Sequence, residues 1–456
     1  MVTISELRTR VDAALDRTVE DLAALVRIPS VSADTFDQST LDASAAMVRG
    51  LLEDAGLTAT VSSAPAPSGA PGRPAVLAAR PAADGLPTVL LYAHHDVQPP
   101  GPHEDWDQED PFEPVVRGER LYARGSADDK AGVIAHVAAL RALGEDLAVG
   151  VRCFVEGEEE VGSPSFVNFL TSHRDALAAD VIVVLDSSNW KVGVPALTTS
   201  LRGLVECQVE LRVAEHALHS GMYGGPVLDA PTLMCRLLAS LHDENGDVAV
   251  PGLLHREAAP IDYPEADFRA DAAVVDGYRL AGTGSIPSRL WTRPALGIVG
   301  FDATPVDRRS NTIAPTCRAA LSLRVAPGQD PAEAWTALES HLRAHVPFGA
   351  QVTITPGEQG PAFLAAGESP AMRLAHWALR EAWGVDGVEI GVGGSIPFIA
   401  DLAQVFPDAE ILVTGIEDPD TRAHSGNESI HLGELRNAIL AEALMLARLS
   451  GTLVEE

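Results

Sequence analysis

The chain has 456 residues, 46% of them hydrophobic, so it is long enough for roughly one to three folded domains with a large core. The 64 acidic residues outnumber the 33 basic ones and give a net charge of −31, which argues against non-specific binding to nucleic acid or to an anionic membrane. The four cysteines form no CxxC pair, so we expect buried free thiols in a reducing compartment. They are Cys153, Cys207, Cys235 and Cys317.

The N-terminal part has the periodicity of helices. Apolar side chains recur at intervals of three and four over residues 4–27 and again over 41–56, which predicts two amphipathic helices. Residues 62–73 are rich in Pro, Ala, Gly and Ser and predict a surface loop. We find no signal-peptide segment and no window of ~18 uninterrupted apolar residues, so we expect a cytoplasmic protein that does not engage a membrane.

Buried strands alternate with helices in the next part of the chain. Short apolar runs end in acidic residues or histidine at PTVLLYAHHDV, GVRCFVEGEEE and DVIVVLDSSNW, and helix-like segments separate them. This alternation predicts a largely parallel sheet covered by helices. In such a sheet, ligands bind beyond the carboxyl ends of the strands.

The pattern changes near residue 201 and returns near 364. The runs LVECQVELRV, PALGIVGF and CRAALSLRVAP alternate apolar with polar residues, as half-exposed antiparallel strands do. The predicted fold class is therefore α/β, with a mostly parallel-sheet larger domain flanked by helices and an inserted α+β domain. The predicted boundaries are 1–200 and 364–456 for the two parts of the larger domain and 201–363 for the insertion.

Four carboxylates crowd into EGEEE, directly after an apolar run that has the character of a buried strand. They are Glu156, Glu158, Glu159 and Glu160. Like charges at this spacing repel, and an unpaired buried carboxylate is costly. One interpretation is a solvated acidic loop, and the other is a strongly cationic ligand at the end of the strand.

Metal-type ligands also stand at other strand ends and helix starts. Each is weak by itself, because acidic residues before a helix often only complement its dipole. Together they predict a metal site at one rim of the sheet, and a mixed imidazole and carboxylate set without thiolate suits zinc, manganese or cobalt. Besides the glutamate cluster, these points are His94-His95-Asp96, Asp128-Asp129, Asp186 and His424.

The motifs carry a family resemblance. Their order along the chain is similar to that of the dinuclear zinc metallopeptidases, which include carnosinase-like cytosolic dipeptidases, acetylornithine deacetylase, succinyl-diaminopimelate desuccinylase and aminoacylase. The dipeptidase branch is the most similar, through DVQP, residues 106–114 and LHSG. The likeness covers nearly the whole chain and rests on AHHDVQP, ARGSADDKAG, EGEEEVGS, VLDSSNW, ALHSGMYGG, GGSIP and AHSGNES.

The resemblance implies a set of ligands for two divalent ions, most naturally zinc. His94 and Asp186 would hold one ion, Glu160 and His424 would hold the other, and Asp128 would bridge them. It also implies that the larger domain is catalytic and that the insertion is a lid through which two copies form a homodimer.

The resemblance further implies the catalytic residues. Asp96 would hold the second ring nitrogen of His94. Glu159 would act as general base, taking a proton from the water that the two ions activate and passing it to the leaving amine. His219, from the lid of the partner copy, would stabilise the tetrahedral oxyanion.

Substrate-binding residues are implied in the inserted domain and the GGSIP loop. Arg324 matches the position of a carboxylate-binding arginine. Asn311 is a further candidate for substrate contact, and Gly394 and Ser395 belong to a loop whose backbone would approach the substrate. Many dipeptidase relatives carry a charged residue just before this loop, whereas this chain has Gly-Val at 391–392.

The leading functional hypothesis is metal-dependent hydrolysis of the amide bond of dipeptides or similar small peptides. An N-acyl amino acid deacylase would use the same site and differ only in the substrate pocket. A non-catalytic, metal-bound scaffold would be favoured by the loss of a ligand or of Glu159, and none is lost. The chain has no GxSxG nucleophile motif and no GxxxxGK[ST] phosphate loop.

Overall fold

The computed structural model describes residues 1–258, 261–365, 367–394 and 397–454. The chain divides into two compact units. The first unit comprises Met1–Thr198, Ala365–Glu389 and Asp401–Glu456, and the second comprises Thr199–Leu364 and Ile390–Ala400. The predicted insertion, 201–363, falls within the second unit.

The helices of the described residues are, in chain order, α1 (Ile4–Val26), α2 (Ser39–Asp54), α3 (Lys130–Leu143), α4 (Phe166–Ser172), α5 (Arg174–Leu177), α6 (Ser220–Tyr223), α7 (Ala230–Ala239), α8 (Glu265–Asp271), α9 (Pro331–Ala344), α10 (Pro370–Trp383), α11 (Pro397–Val405) and α12 (Leu432–Leu449). The strands are β1 (Val2–Thr3), β2 (Thr58–Ser62), β3 (Ala75–Arg80), β4 (Thr88–His94), β5 (Val115–Arg117), β6 (Arg120–Tyr122), β7 (Gly150–Glu156), β8 (Val181–Val184), β9 (Ala196–Leu201), β10 (Gly203–Arg212), β11 (Leu218–His219), β12 (Ala295–Phe301), β13 (Thr312–Ile313), β14 (Thr316–Val325), β15 (Gln351–Gly360), β16 (Phe363–Leu364), β17 (Val388–Val392), β18 (Glu410–Val413), β19 (Ser429–His431) and β20 (Leu453–Val454).

The N-terminal helix begins at a reciprocal cap. The backbone N–H of Glu6 donates to Thr3 Oγ1 over 3.2 Å, and the backbone N–H of Thr3 donates to Glu6 Oε2 over 2.9 Å. This arrangement satisfies two donors that the first turn of a helix leaves free. The two N-terminal helices predicted from periodicity are confirmed, with the second starting and ending two residues earlier than predicted.

A six-stranded sheet forms the centre of the first unit, in the order β18-β8-β4-β7-β3-β2. The strands β18, β8, β4 and β7 are parallel, and β3 and β2 continue the sheet antiparallel at one side. Side chains of α1, α3 and α12 belong to the same buried core as the sheet. The predicted parallel-sheet α/β class is confirmed, and it brings the carboxyl ends of four strands to one edge.

An antiparallel sheet forms the centre of the second unit, in the order β12-β14-β10-β15. Along β14, buried residues alternate with more accessible ones, so one face packs on the core of α7 and α9 while the other is more open. The predicted α+β character of this region is confirmed. The edge strand β12 carries exposed Ile298, Val299 and Phe301, which are 52%, 65% and 40% exposed.

The cysteines are unpaired, but one expectation about them was wrong. Cys153, Cys207 and Cys317 are buried, whereas Cys235 is exposed. Cys235 lies on α7 next to Met234, which faces the core. Because successive residues of a helix are rotated by about 100°, Cys235 points away from that face.

None of the helices in the described part of the chain is long and apolar enough to cross a membrane.

Candidate metal centre

The carboxyl edge of the parallel strands in the first unit collects ligand-type side chains. His94 is the last residue of β4, and Asp186 follows β8 by two residues. Glu160 follows β7 within a 3₁₀ turn, Glu159–Val161. Because parallel neighbours end at the same edge, these three side chains meet although the chain separates them by 26 residues or more.

Asp128 lies at the centre of the cluster and faces two histidines. Its Oδ1 is 3.1 Å from Nε2 of His94, and its Oδ2 is 2.9 Å from Nε2 of His424. The Nε2 atom of His94 is also 3.9 Å from Asp186 Oδ1, and that of His424 is 3.2 Å from Glu160 Oε2. Each carboxylate oxygen of Asp128 is thus directed at a different imidazole.

These side chains form two groups of three that share Asp128. One is His94, Asp128 and Asp186, and the other is Asp128, Glu160 and His424; within each, the ligand atoms lie within 4.8 Å of one another. Ligand atoms about 2.0–2.2 Å from an ion are separated by no more than about twice that distance. The four distances given above, from 2.9 to 3.9 Å, lie within this limit, so both groups can surround a divalent ion. The residues therefore fit divalent metal at two groups that share Asp128.

The electrostatics of the cluster favour cations. Burial raises the pKa of Glu160 to about 7, and the charge of Asp128 adds to that effect. Burial likewise raises the pKa of Asp186 to about 6. In the opposite sense, hydrogen bonds to Asp128 and Glu160 raise the pKa of His424 to about 11. Crowded carboxylates in a buried site destabilise one another unless positive charge is placed among them.

Asp96 connects the two strand ends of the site. Its carboxylate accepts the backbone N–H groups of Glu159 and Glu160 over 3.2 and 3.1 Å. Its Oδ1 is 3.4 Å from Nδ1 of His94, and that ring nitrogen is 3.1 Å from the backbone oxygen of Asp96. The aspartate therefore lies beside His94, and it also fixes the turn that carries the two glutamates.

Two further residues, which the sequence analysis did not single out, hold the ligands in place. Gln98 binds Glu160 at both oxygens: its backbone N–H donates to Oε1 over 3.0 Å and its Nε2 donates to Oε2 over 2.8 Å. Gln98 belongs to the DVQP motif, which the sequence shows, but its contact with Glu160 is seen only in the structure. Hydrogen bonds from amide donors limit the rotation of the carboxylate.

Glu428 is the second of these residues, and it is fully buried. It accepts a 2.6 Å hydrogen bond from Arg124 Nη1 and further bonds from the backbone N–H groups of Gly125, Ala127 and Asp128 over 3.0, 3.0 and 3.2 Å. One side chain therefore shapes the loop that presents Asp128. The glutamate lies in the AHSGNES motif, four residues after His424, and only the fold shows what it contacts.

The loop that carries His424 has an unusual backbone. Arg422, His424 and Asn427 have φ angles of 58°, 61° and 59°, a left-handed conformation that costs a residue with a side chain about 1–2 kcal/mol. Asn427 Oδ1 accepts the backbone N–H of Asp107 over 3.0 Å, which anchors the loop to a neighbouring segment. The strained turn directs the His424 ring at Asp128 and Glu160.

Glu156 and Glu158 are structural, and the alternative of a solvated acidic loop was wrong. Both are buried. Glu156 accepts a 2.8 Å hydrogen bond from Tyr92, and Glu158 accepts the hydroxyl and backbone N–H of Ser165 and the backbone N–H of Arg73. Sequence spacing could not reveal Tyr92 and Arg73 as partners, because they lie 64 and 85 residues away.

The remaining predicted residues belong to the second unit. His219 and Asn311 are exposed and adjacent: Ser220 donates its backbone N–H to the Asn311 carbonyl over 3.0 Å. Arg324 is on β14 and half-buried. Gly394 has open space around it, and Ser395 lies outside the described residues.

Comparison with known proteins identifies the family. The family model described as peptidase family M20/M25/M40 matches residues 90–448. The chain belongs to this family. It is therefore a hydrolytic enzyme, and with the two ligand groups described above it is a metal-dependent one; the resemblance inferred from the motifs is confirmed.

Curated relatives match most of the chain. It is 35% identical to the cysteinylglycine-S-conjugate dipeptidase of Corynebacterium striatum over 369 residues, which are 79% of this chain and 80% of the relative. It is 28% identical to the beta-Ala-His dipeptidase of Rattus norvegicus, over 76% of this chain and 73% of the relative. It is 26% identical to the Cys-Gly metallodipeptidase DUG1 of Saccharomyces cerevisiae, over 94% of this chain and 95% of the relative.

Two solved structures share the fold. The dipeptidase Dug1p from Saccharomyces cerevisiae gives a TM-score of 0.76 at 22% identity, covering 98% of each chain. Human carnosine dipeptidase 1 also gives 0.76, at 23% identity and 99% of each chain. At this level of identity, the match concerns the architecture.

Proposed function

We propose that this enzyme hydrolyses the amide bond of dipeptides, with two divalent ions, most naturally zinc, held by His94, Asp128, Asp186, Glu160 and His424. The observation that carries the proposal is the pair of three-residue groups sharing Asp128. The mixed imidazole and carboxylate set suits zinc, and also manganese or cobalt. The relatives named above are dipeptidases, which supports the substrate class.

Glu159 is the proposed general base. When bound, the two ions would lower the pKa of a water molecule and polarise the amide carbonyl. Burial and the charges of Asp186 and Glu160 raise the pKa of Glu159 well above its usual range, which suits a carboxylate that must take up a proton. Glu159 then passes this proton to the leaving amine. The Asp96 carboxylate fixes the turn on which Glu159 stands.

His219 is the proposed donor to the tetrahedral oxyanion. Its Nδ1 accepts the backbone N–H of Gly221 over 3.1 Å. In the neutral ring the proton is then on Nε2, which is free to donate to an oxygen carrying negative charge. The side chain is exposed, as expected for a residue that acts on a second copy of the chain.

Arg324 is the proposed partner of the substrate's terminal carboxylate, with Asn311, Gly394 and Ser395 as further contacts. The guanidinium of Arg324 forms no ion pair with the described residues, whereas five other arginines of the second unit do. A planar guanidinium can bind a carboxylate through two parallel hydrogen bonds. This supports recognition of a free C-terminal carboxylate.

A homodimer through the second unit completes the proposal. The exposed apolar side chains of the edge strand β12 support it, because an uncovered edge of this kind readily pairs with another strand. We also propose that the enzyme is cytoplasmic, in keeping with its four unpaired cysteines.

An N-acyl amino acid deacylase is the second candidate, and one observation favours it. A side chain at Gly391 would place its Cβ 2.5 Å from Trp291 Cβ, so that position has no room for the charged residue of many dipeptidase relatives. Val392 is uncharged, so neither residue before the glycine loop offers a charged side chain to the ammonium group of a dipeptide.

The two candidates are separated by one pair of substrates. We expect the metal-loaded enzyme to cleave a dipeptide with a free amino group at least about tenfold faster, in kcat/KM, than its N-acetylated analogue, the scale of one buried charge-assisted hydrogen bond. A preference for the acetylated compound would establish the deacylase instead. Cleavage of neither compound by enzyme with verified metal content would refute both.

A further inference from the structure

Arg202 is an almost completely buried cation of the second unit. It lies between β9 and β10 and is 8% exposed. Its Nε donates to the carbonyl oxygen of Gly393 over 2.9 Å, and its Nη1 lies 3.4 Å from the carbonyl oxygens of Arg289 and Arg293. All three acceptors are backbone carbonyls, which carry only partial negative charge.

No carboxylate in the described part of the chain pairs with this cation. Arg202 and Arg324 form no ion pair there, and Nη2 of Arg202, with its two N–H groups, has no hydrogen-bond acceptor among the described residues. Other arginines of the second unit do have carboxylate partners, namely Arg212, Arg269, Arg293, Arg318 and Arg343. A buried charge without a counter-ion is strongly unfavourable, so an anion from outside the chain would relieve it.

Arg324 lies close enough to Arg202 to make the lack of a counter-ion more unfavourable. Arg324 of β14 stands opposite Leu204 of β10 in the strand register, two residues from Arg202. Burial lowers the pKa of Arg202 to about 10, and the positive charge of Arg324 contributes to the decrease. Two neighbouring cations without an intervening anion destabilise each other, whereas one carboxylate between them would satisfy both.

The glycine loop is built around Arg202. A Cβ at Gly393 would lie 2.8 Å from Nη2 of Arg202 and 3.0 Å from the carbonyl oxygen of Leu290. Only glycine allows the backbone to approach the guanidinium this closely. The arginine therefore fixes the segment that ends in Gly394, one of the expected substrate contacts.

We propose that Arg202 and Arg324 together bind the single terminal carboxylate of the substrate, with Nη2 of Arg202 as donor, while Nε of Arg202 holds the Gly393 carbonyl. Arg202 would thus be a specificity-determining residue, which no motif in the sequence had marked. This inference rests on the proposed function, because it assigns the substrate's carboxylate to a receptor of two arginines.

The test compares a dipeptide with its C-terminal amide in wild type, Arg202→Met and Arg324→Ala. The ratio of the two kcat/KM values measures recognition of the carboxylate. We expect Arg202→Met to reduce this ratio about tenfold to a hundredfold, the scale of a hydrogen bond to a charged group. Loss of the bond to Gly393 affects acid and amide alike, so it does not change the ratio. The double variant should lose little more than either single variant, because both arginines bind one group.

Arg293→Met is the matched control. Its guanidinium also lies in the second unit and is largely covered, but it pairs with Glu257. Its removal can lower thermal stability, but the ratio of acid to amide should stay at the wild-type value. If circular dichroism shows that Arg202→Met does not fold, Arg202→Lys is tested instead. Lysine keeps the charge but lacks the planar guanidinium. The ratio of acid to amide for this variant should therefore fall below that of wild type.

Three outcomes separate the hypotheses. A wild-type ratio in folded Arg202→Met, or in Arg202→Lys when the methionine variant is unfolded, would show that Arg202 is only structural and would overturn the inference. Full additivity of the two single variants would also contradict a shared carboxylate. Failure of metal-loaded wild type to cleave any dipeptide or N-acyl amino acid would instead refute the proposed function.

Discussion

The two units of the molecule prepare their functional side chains in opposite ways. In the first unit, Asp128 and Glu160 are held by neighbours before any ligand arrives: Gln98 binds Glu160, and Glu428 shapes the loop of Asp128. In the second unit, His219 is exposed and Arg324 has no carboxylate partner in the described residues. The first unit thus presents side chains that their neighbours already hold in place, whereas the proposed partners of the second unit's groups are the substrate and another copy of the chain.

Removal of metal should have the largest effect, because it takes away what the first unit is organised to hold. We expect a chelator to reduce hydrolysis to background and zinc, manganese or cobalt to restore it. Elemental analysis of the active enzyme should give about two ions per chain. Full activity in protein shown to be metal-free would end the two-ion hypothesis.

Glu159→Gln sharpens the assignment within the first unit. The amide keeps the shape of the side chain but removes the base, so kcat should fall about a hundredfold or more while both metals remain bound. Glu160→Gln should instead lose metal, because it removes a ligand. The exposed Glu119, replaced in the same way, serves as control and should be unaffected.

If metal analysis shows an emptied site in Glu159→Gln and a full one in Glu160→Gln, the two roles are exchanged.

Arg324→Ala tests whether the second unit recognises the substrate. KM for a dipeptide should rise about tenfold or more, because a hydrogen bond to a charged group is lost. The wild type should discriminate strongly between a dipeptide and its C-terminal amide, and the variant should discriminate weakly. Arg318→Ala removes an exposed arginine paired with Asp302 and is the control. Equal discrimination in wild type and Arg324→Ala would remove this residue from the site.

Mixing two inactive variants tests whether His219 acts on a second copy of the chain, and its effect is the smallest. Homodimers of His219→Ala and of Glu159→Gln should each be inactive. After exchange, about half the molecules would be heterodimers with one intact site of two, so activity should return to about a quarter of wild type. Subunit exchange is verified by mass or by a fluorescence label. If no activity returns although the subunits have exchanged, His219 acts in the site of its own subunit.

The sequence by itself determined the architecture and the family. Alternating apolar runs and helical periodicity predicted the parallel sheet of the first unit, and the change near residue 201 predicted the antiparallel sheet of the second. The order of the motifs selected His94, Asp128, Asp186, Glu160 and His424, which the fold brings together at one edge of the sheet. These features depend on residue type and spacing, which a single sequence displays; the catalytic roles assigned to them stay predictions.

Only the tertiary structure decided which side chains support these residues. The contacts of Glu428 with residues 124–128 join segments about 300 positions apart, and the buried bond from Tyr92 to Glu156 spans 64 positions. Likewise, Arg202 is recognisable as a buried cation without a carboxylate partner among the described residues only when its surroundings are known. Local pattern reports periodicity and charge, but burial and hydrogen-bond partners arise from contacts between distant parts of the chain, which no local spacing encodes.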